Sequence, residues 1–142
     1  MTMKNTLLLL VLTILAIACQ KDESIGPPEL YQRWQWIESR SANGSVSKPN
    51  PAQTNIIIFK PSGEYVYEFN GKQYTCCQPN RFVRQGDQLI FSDEPDGYRS
   101  PECISISCAP YQPEQVIDSL SAQRLVLSVK GSPAQAVYQA VR

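Results

Sequence analysis

At 142 residues the chain is long enough for one domain with a proper core and too short for two. Thirteen basic residues balance thirteen acidic ones, so there is no basic field to draw nucleic acid and no polybasic stripe to hold anionic lipid. Histidine is absent, which excludes Ser-His-Asp and Cys-His catalysis and imidazole metal sites, and leaves carboxylate or tyrosine chemistry for an enzyme.

Met1–Asn5 carries one positive charge, Lys4, and Thr6–Ala18 (TLLLLVLTILAIA) is apolar apart from two threonines. A short basic start, an apolar run too short for a comfortable span and a small-residue end predict an export signal over residues 1–18. Charges at Lys21, Asp22 and Glu23 follow at once, which argues against a transmembrane anchor or a buried core helix. The ending Leu15-Ala16-Ile17-Ala18-Cys19 resembles the lipobox of bacterial lipoproteins, with Leu15 one place further back than that family's leucine. The resemblance implies cleavage before Cys19, a diacylglyceryl group on its thiol and an acyl chain such as palmitate on the new amine. Each buried methylene then contributes about 0.8 kcal/mol, and two or more chains make an anchor that does not readily leave the membrane. Losing Lys4 leaves 12 basic against 13 acidic residues, so the exported chain stays near neutral.

Residues 19–29 read as a lipidated flexible tether. Lys21-Asp22-Glu23 looks like the acidic tag by which some diderm bacteria display lipoproteins on the outer face of the outer membrane; the periplasmic face is the alternative. Ser24–Glu29 (SIGPPE) continues as a Gly/Pro spacer.

From residue 30 to 142 the pattern is one β domain, because short apolar-alternating runs are separated by turn dipeptides and no helical period is sustained. Arg33–Ser39 puts Trp34 and Trp36 on one face, Asn55–Lys60 (NIIIFK) reads as a buried strand, and Glu64–Phe69 aligns Tyr65, Tyr67 and Phe69. Asn70-Gly71 predicts a hairpin turn with both positions at positive φ, leading into a strand over Lys72–Cys77. Arg81–Arg84, Gln88–Ser92, Gln115–Leu120, Arg124–Lys130 and Gln135–Val141 complete roughly eight strands in an up-and-down order. The polar stretch Ser41–Gln53 reads as a disordered or functional loop. The sequence Leu30-x-x-x-Trp34-x-Trp36, then Phe59–Gly71 (FKPSGEYVYEFNG), then Leu125-Val126-Leu127 resembles lipocalin-like domains of bacterial lipoproteins, with Gln32 where lipocalins usually carry glycine. The resemblance implies a small antiparallel up-and-down β-barrel. A β-sandwich with the same strand count is the alternative.

Four cysteines remain in the exported chain, an even number that predicts two disulfides among Cys76, Cys77, Cys103 and Cys108. Their spacing suits a Cys₄ zinc site poorly, since one pair is adjacent and the other has four residues between its members. On an extended strand Cys76 and Cys77 point to opposite faces, as Cys103 and Cys108 do if their segment is extended, which favours two bonds crossing between the segments, in either of the two crossed pairings. A local Cys103–Cys108 bond with Cys76 and Cys77 left free is the main rival. Asp93-Glu94-Pro95-Asp96-Gly97 offers oxygen ligands but reads as a turn, and no metal is expected there. The stripes Trp34, Trp36, Tyr65, Tyr67 and Phe69 are either core or the lining of a ligand pocket.

The sequence therefore predicts a lipid-anchored, non-enzymatic module without a cofactor. Its expected partners are the membrane, through Cys19, and a small apolar ligand or an outer-membrane protein complex; nucleic acid is not among them. A small carboxylate-dependent hydrolase of the glycosidase kind is the alternative, and would need two Asp or Glu converging in a cleft.

Overall fold

The computed structural model describes residues 26–94 and 99–142. The export signal, Cys19, the tag Lys21-Asp22-Glu23 and residues 95–97 of the acidic loop lie outside these. Among the described residues ten strands follow one another: β1 Arg33–Arg40, β2 Val46–Ser47, β3 Asn55–Phe59, β4 Tyr65–Phe69, β5 Lys72–Gln73, β6 Arg81–Gln85, β7 Gln88–Ser92, β8 Glu114–Leu120, β9 Arg124–Val129 and β10 Gln135–Val141. They form one antiparallel sheet in the order β5-β4-β3-β1-β10-β9-β8-β7-β6, with β2 on β1. A single continuous sheet rules out the sandwich. The two strands beyond the expected eight are the two-residue pieces β2 and β5.

The first and last strands pair at the middle of the sheet, so the sheet's free edges, β5 and β6, come from the interior of the chain. Bulges at Trp36/Glu38 in β1 and at Ile117/Ser119 in β8 interrupt the register, and such insertions bend and twist a sheet. The curl brings the start of β4 against the start of β6. Glu64 bridges to Arg81, Tyr65 N–H donates to Asn80 O at 2.9 Å, and Phe82 N–H donates to Gly63 O at 2.9 Å. The sheet is thus curled into a half-barrel, and among the described residues its main-chain bonds across the seam lie at the start of β4 and β6.

Period-two alternation decides what fills it. Trp34, Phe59, Phe82, Leu89, Leu125 and Leu127 from five strands are buried in one cluster. Phe59 meets Phe82 edge-on with ring centroids 4.9 Å apart, and Tyr65 meets Phe91 likewise at 5.1 Å, the geometry favoured by the ring quadrupole. A 3₁₀ turn over Pro28–Leu30 precedes β1. Leu30 is fully buried in the same cluster, and its carbonyl accepts Trp34 Nε1–H at 3.0 Å. The fold therefore begins slightly before residue 30, because the turn supplies the acceptor that the buried indole requires.

Three local expectations are corrected. Ser41–Gln53 is an ordered hairpin in its first half: Val46 and Ser47 pair with Arg40 and Ser39, and Gly44 takes the positive φ of 83° that the turn needs. The strand expected over Lys72–Cys77 ends at Gln73. Cys103 sits in a 3₁₀ turn, Pro101–Ser105, and not in extended chain, since Pro101 fits the first helical position.

Candidate binding site

The early end of β5 creates the site. The Asn70-Gly71 turn, with φ of 51° and 75°, returns the chain so that Phe69 pairs with Lys72 and Glu68 with Gln73. One further bond holds, Tyr74 N–H to Tyr67 O at 2.8 Å, and then the chain turns away. Cys77 adopts a φ of 63°, a conformation a non-glycine residue occupies only when its surroundings impose it. Two disulfides impose it here: Cys76–Cys103 and Cys77–Cys108, with Cα atoms 5.1 and 5.0 Å apart. The crossed arrangement expected from adjacent cysteines is present, although neither segment is the extended strand from which it was argued.

Thr75 is the polar centre of this corner. It is buried, its Oγ1 accepts Ser100 N–H at 2.9 Å, and its carbonyl accepts from the Arg99 guanidinium. Arg99 also donates to Gln78 O at 2.9 Å and pairs with Asp93. The corner is fixed by charge-assisted bonds as well as by covalent ones.

Between this corner and β4 a cleft of about 270 Å³ opens in the barrel wall. Tyr65 and Tyr67 form one side, Gln73, Tyr74 and Thr75 a second, and Asn80 and Arg81 a third, with Glu64, Glu94 and Arg99 around the mouth. Tyr67 and Tyr74 meet edge-on at 6.2 Å, and Tyr67 Oη donates to Asn55 Oδ1 at 2.5 Å. Asn80 is held in place by two bonds with the Glu94 main chain, at 2.9 and 2.8 Å.

The tyrosines continue inward from the cleft. Burial pushes the Tyr65 hydroxyl well up from its ordinary pKa, with Tyr138 and Tyr67 adding to it. Burial and then Tyr67 push Tyr138 up to about 12, and burial and then Tyr74 raise Tyr67. These phenols stay protonated at neutral pH, and the Tyr67 proton is given to Asn55 Oδ1.

Of the residues singled out from sequence, Tyr65 and Tyr67 serve both readings, packing on the core and lining the cleft. Trp34 is core. Trp36 and Phe69 are half-buried and do not line the cleft; Trp36 Nε1–H donates to Glu38 O at 2.9 Å. Asp93 pairs with Arg99. Tyr74, Thr75, Asn80, Arg81 and Arg99 carried no signal in the sequence, being isolated polar residues in turns and strand starts. Tyr138 did carry one, since it shares a face with Trp36 on the neighbouring strand.

No protein-family model and no curated protein matches the chain. Among solved structures it is similar to a lipocalin-like protein from Bacteroides uniformis, at 15% identity and a TM-score of 0.44, over 80% of this chain and 99% of that one. At that identity the likeness says nothing of ligand or activity.

Proposed function

We propose that the protein is a lipid-anchored binding module of the bacterial cell envelope, displayed on the outer membrane through Cys19 and accessory there to other envelope components. The observation that carries the binding reading is the cleft at the open seam, where tyrosine rings, uncharged polar side chains and unlike charges line one concave surface. The lining calls for a ligand with hydrogen-bonding groups beside an apolar face. The anchoring reading rests on the residues from Lys4 to Glu23.

Gly26 packs against the Arg84 side chain of β6. The hydrolase alternative has two cleft acids to draw on, Glu64 and Glu94. Glu64 is engaged with Lys60 at 2.8 Å in an exposed ion pair, and Glu94 is exposed. A general acid works from a carboxyl sheltered from water, so binding is preferred.

Fluorescence titration with 8-anilinonaphthalene-1-sulfonate tests the reading. The probe presents fused rings and an anionic group, which suit Tyr74 and Arg81. Tyr74→Ala is expected to weaken its binding about tenfold, the size of one lost aromatic contact. Val83→Ala, at an exposed apolar residue outside the cleft, is expected to leave it unchanged. Equal effects of both variants would refute the cleft as the site.

A further inference from the structure

We infer that the cleft takes a short extended stretch of peptide main chain, added as a strand along the open edge of β4. The inference deepens the binding reading above and rests on it.

The main-chain bonds of β4 alternate in direction, as in any antiparallel ladder. Asn70 N–H donates to Thr54 O, and Lys60 N–H to Glu64 O, so the even-numbered residues of β4 face β3. The odd-numbered residues therefore face the seam. On that side Tyr65 N–H is taken by Asn80 O, and Tyr67 O accepts from Tyr74 N–H. The two groups between them, Tyr65 C=O and Tyr67 N–H, have no main-chain or side-chain partner among the described residues. They open onto the cleft because β5 has already turned away and β6 begins only at Arg81.

An acceptor and a donor that flank one residue of an edge strand are a template for another strand. A segment running parallel to β4 satisfies both with a single residue, whose N–H donates to Tyr65 O and whose C=O accepts Tyr67 N–H. Side chains of an added strand alternate across the wall, inward toward the phenols of Tyr65 and Tyr67 and outward past Thr75. Arg81 stands at the rim with one long contact, to Ser62 O at 3.4 Å, and no ion pair among the described residues, so it can meet an acidic side chain or a terminal carboxylate. The cavity of about 270 Å³ restricts the stretch held to one or two residues.

The test is a titration of the ¹⁵N-labelled intact chain in detergent with N-acetyl-alanine N-methylamide, and separately with methyl O-acetyl-lactate, which has the same shape without N–H groups. The peptide is expected to move the Tyr67 amide proton downfield and to slow its exchange. The ester should bind about tenfold more weakly, the consequence of leaving Tyr65 C=O without a donor. Equal binding of peptide and ester, or a peptide response confined to residues away from β4, would overturn the assignment. If anilinonaphthalene sulfonate shifts the cleft amides and the peptide does not, the peptide assignment falls while the binding reading stands. If neither shifts them, both fall.

Discussion

Tyr138 stands across from Trp36 on the neighbouring strand, and its ring is packed against the core. Burial first, and Tyr67 second, push its hydroxyl up to about 12. The folded state therefore holds this proton more tightly than the unfolded chain, whose tyrosines ionise near pH 10. The stabilisation is complete below pH 10 and is lost as pH rises from there through about 12, because the unfolded state then binds fewer protons. The slope is about 1.4 kcal/mol per pH unit for one such group. Urea unfolding at a series of pH values should show stability of the wild type falling across this window, and falling less steeply in Tyr138→Phe. Identical slopes in the two proteins would mean that the Tyr138 hydroxyl is not held neutral by its surroundings.

The element that defines the site is the pair of crossed disulfides, and its energetics are those of one clamp. Each bond alone closes a loop of 27 or 31 residues, worth about 3.5 kcal/mol in the chain-entropy account. Once one is closed, the other closes a ring of only about seven residues, through the Cys76-Cys77 link and the Cys103–Cys108 stretch, worth roughly 2 kcal/mol. Replacing either pair by alanine should therefore cost about 2 kcal/mol, and replacing all four cysteines about 6 kcal/mol. Denaturant unfolding of the two double variants and the quadruple variant measures this, and a quadruple loss no greater than the sum of the doubles would refute the single clamp.

The same element shows what was legible in the sequence. The strands that alternate cleanly, such as Trp34 with Trp36 and Tyr65 with Tyr67, follow from pattern alone. So does the Asn70-Gly71 turn, because positive φ at two successive positions strongly restricts residue choice. The end of β5 at Gln73 does not follow, since Lys72-Gln-Tyr-Thr-Cys reads as a continuing strand. What ends it is the distant partner of each cysteine, a constraint local pattern does not contain. The cleft was hidden for the same reason: its residues come from the ends of β4 to β6 and the loop at Arg99, and converge only once the sheet has curled.

At the scale of the whole molecule, both ends of the folded chain enter the sheet at its centre through β1 and β10. The described chain nevertheless starts near the seam, since Gly26 packs against the Arg84 side chain of β6. Growth with a labelled fatty acid should tag the wild type, and Cys19→Ala should lose both the label and membrane fractionation. A Cys19→Ala protein that keeps its label would remove the anchor from the account.

That the open seam is the working surface is tested most directly by mapping the amide shifts of the labelled protein during titration with anilinonaphthalene sulfonate. The largest changes are predicted at Tyr65–Tyr67, Gln73–Thr75 and Asn80–Arg81, the three sides of the cleft. Changes confined to the exposed apolar residues Val46, Val83 and Ile104, which do not line the cleft, would contradict it.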